Sequence, residues 1–585
     1  MTRTEAGAER RRLPSARPRQ RGSPADGLDP VTFALLEAAL RATSVEMGAA
    51  LRHASYSPII REMLDYSCAV FDAAGQLVAQ GEFIPAQLGA MSLVVQATLR
   101  RHGPSIAPGD VFVSNDPYEG GAHTPDVNVI RPVFVARGAP RGGPPALLGW
   151  VGTVAHQVDF GGPNPGTEGA DNRQVFGEGL ILPPVRLATA RGPQADLVAL
   201  IGANVRDPVS TLADLRAQVA ACRIGEARLL EIAEHHGPAT VRRAFAALLD
   251  HAERRTRAAL AALPDGEAEA EGFLDDDGAG GPPTRFQARL TKTGDRLTVD
   301  LSGSAGQVPG GLNNPWASTR ACVAYLVRAV AGSDIPANDG ALRPVTIVCP
   351  EGSILHPRRP AAVSVRHLTC QRLADTMIRA AARLWPDLPV AGHFVGFFSL
   401  MAEGPSPRTG RSVVLQDVVG GGTGAHGPRR LHARGTAGPG GGPGGMTMPG
   451  GDGLDAVDTH MSNVGLLSAE VCELEYPWRL VRSELVPGSA GRGRWSGGLG
   501  LRRTYEVLTA AQPVVLYCEQ TDQRWRPWGA AGGGDGRPTR LIVRDPAGRR
   551  IVVASKATVI LEPGSTVTIV TGGGGGYGDP RVAGS

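Results

Sequence analysis

With 585 residues, 42% of them hydrophobic and 20% charged, the chain is long enough to bury several cores, and about 100–200 residues per domain suggests three or four units. No uninterrupted apolar run reaches the roughly 18 residues that a membrane span needs, so no membrane partner is expected. A net charge of +4 over this length is close to neutral and sits largely in an Arg-rich start, which gives no ground for a nucleic-acid surface.

Residues 1–27, MTRTEAGAERRRLPSARPRQRGSPADG, are rich in Arg, Pro, Gly and Ala without apolar periodicity and read as a disordered tail. No apolar stretch follows Arg10, Arg11 and Arg12, which argues against a secretory signal and for a cytoplasmic protein. Cys68, Cys222, Cys322, Cys349, Cys370, Cys472 and Cys518 form no C-x-x-C pair, so neither a zinc ribbon nor a secreted disulfide framework is expected.

Asp29-Pro30 supplies a cap and a first-turn proline, and Phe33, Leu36, Leu40, Met47 and Leu51 keep a helical period until Ser57-Pro58. SCAVFD, the turn AAG and QLVAQ predict a short hairpin. The segment from Gln80 to Pro85 then leads into a helix near Gln87, which leaves Glu82 at a strand end.

Val127 to Ala136 and Leu147 to Ala155 are rich in β-branched and apolar residues and flank the turn-forming run RGAPRGGPPA, so they predict an antiparallel hairpin. A hairpin sets the residues entering its first strand beside those leaving its second. His123 and Asp126 therefore converge with His156 and Asp159 at one end of a sheet, a donor set that reads as a metal site.

Apolar positions three and four apart predict helices from about Thr211 to Leu263, serving as a scaffold or subunit contact. RFQARLTKTGDRLTVDLSGSAGQV reads as sheet, and WASTRACVAYLVRAVAG and HLTCQRLADTMIRAAARLW as helices. On the last of these His367, Gln371, Arg372 and Asp375 share a face, as a cleft lining or as a surface salt-bridge network. From Gly420 to Gly453 the composition turns to Gly and Pro, which predicts a long loop or linker. DVVGGGTGA, Asp417 to Ala425, is similar to a phosphate-binding DxGGT turn, but its favoured reading is a glycine loop after a strand. Short strands at regular spacing follow to the end. The expected class is α+β, mixed sheets and helices with a β-rich C-terminal domain. The expected division is a tail (1–27), a metal-site domain (28–265), a mixed α/β domain (266–415), a Gly-rich loop (416–455) and a β-rich domain (456–585).

NDPYEGGAHTPDV, AHQVDFGGPNPGT, FGEGLILPPVRL, VDLSGSAGQV, PEGSILHPRRPAAVSVR, RGRWSGGLGLRR and GGGGGYGDP together resemble the hydantoinase B / 5-oxoprolinase family, which includes the large subunits of acetone and acetophenone carboxylases, from about Asp29 to Pro580. The resemblance implies a subunit of an ATP-dependent cyclic amide hydrolase of the 5-oxoprolinase or N-methylhydantoinase type. A hydantoinase A-like partner subunit would bind the ATP, in a hetero-oligomer. It further implies a divalent metal, Mn, Fe or Zn, held by Glu82 in QGEFIPAQLG, His123 and Asp126 in GAHTPDV, and His156 in AHQVD. Asp159 is then the candidate catalytic residue, orienting an imidazole or acting as a base on water. The alternatives are a carboxylase large subunit and a non-catalytic binding subunit. One departure bears on the chemistry: where the family carries His-Ile-Pro-x-His-Leu-Gly, this chain has Phe83 and Gln87, neither of which can act as a base near neutral pH.

Overall fold

The computed structural model describes residues 27–136, 145–396, 398–431 and 446–582. All but the last residue of the tail expectation, most of RGAPRGGPPA and the whole of TAGPGGGPGG lie outside the described residues. Helix α1 (Pro30–Ala54) starts as its sequence dictates: Asp29 accepts hydrogen bonds from the Val31 and Thr32 N–H groups, and Pro30 occupies the first turn. A short α2 (Pro58–Arg61) then leads into the first sheet.

That sheet contains β1 (Tyr66–Asp72), β2 (Leu77–Gln80), β3 (Val111–Ser114), β4 (Asp126–Val135), β5 (Ala146–His156), β6 (Val185–Thr189) and β7 (Gly192–Pro193). Its order is β2-β1-β5-β4-β3-β6-β7, and each neighbouring pair is antiparallel. Successive side chains point to opposite faces. Ala69 and Phe71 therefore meet Met91, Val94 and Val95 of α3 (Pro85–His102) on one side. Cys68 and Val70 join the main core on the other, with Met47 and Leu51 of α1. Behind that second face, α4 (Ala195–Asn204), α5 (Pro208–His236) and α6 (Pro238–Ala261) complete the helical layer, α5 lying on both β4 and β5.

A second sheet has the order β11-β10-β9-β8, from β8 (Gly266–Leu274), β9 (Thr284–Thr293), β10 (Arg296–Asp300) and β11 (Val345–Val348). Helix α7 (Trp316–Ala331) lies between β10 and β11 in sequence and packs against α3, while α8 (Arg366–Leu384) packs on β8, β9 and α7. From Arg366 to Ile378 every residue of α8 is buried, so the polar face seen in its sequence is an interior one.

Strands Phe398–Pro405, Ser412–Val419, Gln512–Tyr517 and Lys556–Leu561 build a four-stranded antiparallel sheet from both sides of the glycine-rich stretch. A five-stranded sheet completes the β-rich C-terminal part. The described flanks of the glycine-rich stretch are extended backbone stacked on the final glycine run. Gly422 N–H donates to the Gly572 carbonyl (3.0 Å), Thr423 N–H to Leu454 (2.9 Å) and Ala425 N–H to Gly575 (2.9 Å). A Cβ on Gly422 would lie 1.9 Å from the Gly498 carbonyl oxygen, and one on Gly574 1.8 Å from that of Thr423. No helix among the described residues is long and apolar enough to cross a membrane.

Candidate metal centre

The β4–β5 register pairs Asp126 directly with His156, and the turn before β4 brings in His123, whose carbonyl accepts from the Asp126 N–H (3.1 Å). On the other side of β5, the residue preceding β1 is Asp65, whose carbonyl accepts from the His156 N–H (3.1 Å). The four side chains thus belong to one end of three adjacent strands. His123, Asp126 and His156 are each at most 3% exposed, and one donor atom from each lies within 4.8 Å of the others.

Hydrogen bonds decide which ring atoms face the centre. His123 Nδ1 lies 2.8 Å from the Ser364 carbonyl, which can only accept, so Nδ1 carries a proton. In the neutral ring the Nε2 lone pair is then aimed at Asp126 Oδ1, 3.2 Å away. Two such atoms need a proton or a metal ion between them, so this donor set fits a cation. His156 Nδ1 stands 3.2 Å from the same carboxylate oxygen and 4.0 Å from Asp65 Oδ2. A second triplet, His123, Glu168 and His367, is also close enough to bind a cation. There, however, Glu168 meets His123 through Nδ1 (3.2 Å), the atom already donating to Ser364. The first triplet is the better metal site, and two imidazoles with carboxylates suit Mn, Fe or Zn.

Surrounding groups hold these ligands in place. Arg366 donates to Asp126 Oδ2 (2.7 Å). Gln87 accepts from Ser67 Oγ (2.8 Å) and donates to Asp65 Oδ1 (2.7 Å). Gln416 reaches His156 Nε2 (3.1 Å), and Tyr517 donates to Glu168. Glu178 accepts from the Val363 and Ser364 N–H groups (2.6 and 2.7 Å), so it braces the peptide that fixes His123. Burial opposes every charge here. Against it, Asp126 raises His123 and His156, and His123 in turn holds Asp126 well below the carboxylate range. Burial pushes His367 down to about 3 and Glu178 up to about 8.

The residues singled out in the sequence divide. His123, Asp126 and His156 meet, whereas Glu82 and Asp159 stay apart from them. Glu82 follows edge strand β2, which lies two strands from β5, or about 10 Å at normal strand spacing. Its side chain is 83% exposed and bonded to Arg328 (2.8 Å). Asp159 is buried but faces the loop before α5, accepting from Arg206 Nη1 (2.9 Å), Arg206 N–H (2.9 Å) and Gly161 N–H (3.0 Å). Asp65, Glu168, Arg366 and His367 do not stand out as ligands in the sequence. Asp65 has a signal, since it starts the strand read in SCAVFD, but the pairing of that strand with β5 has none. The glycine loop 417–425 offers no anion cradle: the N–H groups of Gly421 to Ala425 are all engaged within the protein, and Asp417 is paired with Arg503 (2.8 Å).

A sequence profile of the hydantoinase B/oxoprolinase family matches residues 29–580. The chain is 31% identical to the B component of a putative D-/L-hydantoinase from Pseudomonas sp. (strain NS671), over 94% of this chain and 90% of that protein. It is 30% identical to the beta component of caprolactamase from Pseudomonas jessenii, over 94% and 91%. It is also 30% identical to the 5-oxoprolinase of Saccharomyces cerevisiae, of which it spans 42%. The crystal structure of the ATP-dependent caprolactamase from Pseudomonas jessenii superposes with a TM-score of 0.82 at 28% identity, covering 96% of this chain and 93% of that one. Nucleotide-free acetone carboxylase shares the fold, with a TM-score of 0.82 at 18% identity. The chain belongs to the hydantoinase B/oxoprolinase family.

Proposed function

We propose that this chain is a subunit of an ATP-dependent cyclic amide hydrolase and holds a divalent metal through His123, Asp126, His156 and Asp65. The carrying observation is the aim of His123 Nε2 at a buried carboxylate oxygen, with its other nitrogen committed to Ser364. A bound divalent ion supplies Lewis acidity at the ring opening. Arg366 balances Asp126 and keeps it ionised, while Gln87 turns Asp65 toward His156. Gln87 therefore orients a ligand and does not relay protons. Glu168, kept ionised by His367 and His123 against its burial, adds a negative charge beside the metal ligands.

A resonance-stabilised ring amide resists attack, and phosphorylation of its oxygen makes the carbonyl carbon a better electrophile. The ATP for this step belongs to a hydantoinase A-like partner, a division supported by relatives named as one component of a two-component enzyme and by the engaged N–H groups of the glycine loop. The test is ATP hydrolysis by this chain assembled with its partner. Stimulation by a cyclic amide is expected. ATP turnover that responds to bicarbonate and a ketone, and to no cyclic amide, would instead establish a carboxylase.

A further inference from the structure

Between the approach to α3 and the segment Val457 to Asn463 lies a cavity of about 320 Å³, walled by Glu82, Phe83, Tyr325, His393, Asp458 and His460. This is the small end of small-molecule sites. Helix α8 relates it to the metal centre, with Arg366 at the centre and Asp375 behind the cavity. Nine residues of helical rise separate these two by about 14 Å. The two sites share the stretch from Glu82 to Gln87, pinned by the Ala86 N–H bond to the Met461 carbonyl (3.0 Å).

One wall is polar and ready to donate. His393 Nδ1 accepts from the Gly424 N–H (3.3 Å), which leaves the ring proton on Nε2. Burial lowers this ring to about 3, so it stays neutral. The Tyr325 hydroxyl lies 3.2 Å from His460 Nδ1. Behind it, His460 Nε2 and Asp375 Oδ1 face each other at 3.9 Å, both buried and neither hydrogen-bonded, a spacing that a bound ligand could tighten. His460 is held at φ 53°, a left-handed conformation that a non-glycine residue keeps only where its surroundings enforce it.

The opposite wall is apolar. Phe83 lies against Tyr66, ring centroids 5.5 Å apart, and Gly48 and Gly81 make room for its ring, since a Cβ on either would come within 2.7 or 2.5 Å of it. No lysine or arginine among the described residues lines the cavity. The neighbouring Arg328 is bonded to Glu82, so three carboxylates, Glu82, Asp458 and Asp375, set the local charge.

We infer that this cavity binds a neutral cyclic amide, its hydrocarbon edge against Phe83 and Pro85 and its carbonyl accepting from His393 Nε2 and Tyr325 Oη, and that it rejects ring amides bearing a carboxylate. The inference rests on the cyclic amide reading and narrows it to a substrate class. A carboxylate brought here would lose its hydration and meet like charge without a cation to replace the water.

A matched pair of probes tests this: 2-pyrrolidinone, and 5-oxoproline, the same ring with a carboxylate added, each titrated by ligand-observed NMR into the purified full-length chain. The neutral ring should bind at least about tenfold more tightly. Tyr325→Phe should weaken it by about the same factor, and Phe83→Arg should shift the preference toward 5-oxoproline, with thermal midpoints confirming that both variants fold. Tighter binding of 5-oxoproline to the wild type would overturn this inference and leave the cyclic amide reading standing. Binding of 2-pyrrolidinone that ignores both substitutions would place the ligand elsewhere and overturn the site. If neither ring binds, the cyclic amide reading and this inference fall together.

Discussion

The charged end of the first sheet and the glycine stack of the C-terminal half are both interior, yet they are built on opposite principles. At the metal centre, position is set by side chains: Asp126 lies between His123, His156 and Arg366, and removing one partner leaves the others buried and uncompensated. In the stack, position is set by the absence of side chains, with backbones close enough that a single methyl group has nowhere to go. The first region tolerates little change of charge, the second little change of volume. A chain that carries both can lose its metal without losing its fold, but not the reverse.

Substitutions should break this comparison unequally. The largest effect is expected from Gly574→Ala, whose Cβ would meet backbone atoms of Thr423 and Gly424. A loss on the order of 4 kcal/mol or more is expected, read as a fall in the urea midpoint, and a loss below about 1 kcal/mol would show that the stack yields easily. Asp126→Ala comes next. It should abolish bound metal and cost about 3 kcal/mol by stranding Arg366, whereas Asp126→Asn should lose metal with a milder cost.

A pH series sharpens the contrast further. Burial holds Glu178 at about 8, above the ordinary value of 4.5. The folded state therefore keeps a proton that the unfolded state gives up. The stability associated with that proton is fully present below pH 4.5 and is lost as pH rises to about 8. The wild type should thus lose stability relative to Glu178→Gln across that window, and parallel curves would contradict the assignment. Asp159→Asn should have the smallest effect, about 1–2 kcal/mol from weakened bonds to Arg206 and Gly161, with metal content unchanged. Loss of metal in that variant would bring Asp159 back to the centre.

What could be read in the sequence follows from the range of each physical signal. The β4–β5 hairpin was legible because strand residues and turn residues sit side by side, and its register alone carries Asp126 to His156. The long helices and the short C-terminal strands were legible for the same reason. Asp65 was not, because the pairing of β1 with β5 is a contact between residues about ninety apart, and nothing local distinguishes it from pairing with β2 alone. Glu82 looked equivalent, since it too ends a strand at that edge of the sheet, but an edge strand puts it near solvent and Arg328. The polar face of α8 was visible as a pattern, although only the fold turns it inward and places His367 and Asp375 at two different sites. The glycine-rich flanks read as a loop because composition records the entropic cost of glycine and not the close approach that compensates for it.

The most direct measurement is bound metal by elemental mass spectrometry in the wild type, Asp65→Ala and Glu82→Ala, each purified with metal supplied. The account predicts near-stoichiometric Mn, Fe or Zn in the wild type and in Glu82→Ala, and a marked loss in Asp65→Ala. Metal that survives in Asp65→Ala and disappears in Glu82→Ala would contradict the ligand set drawn from the three adjacent strands.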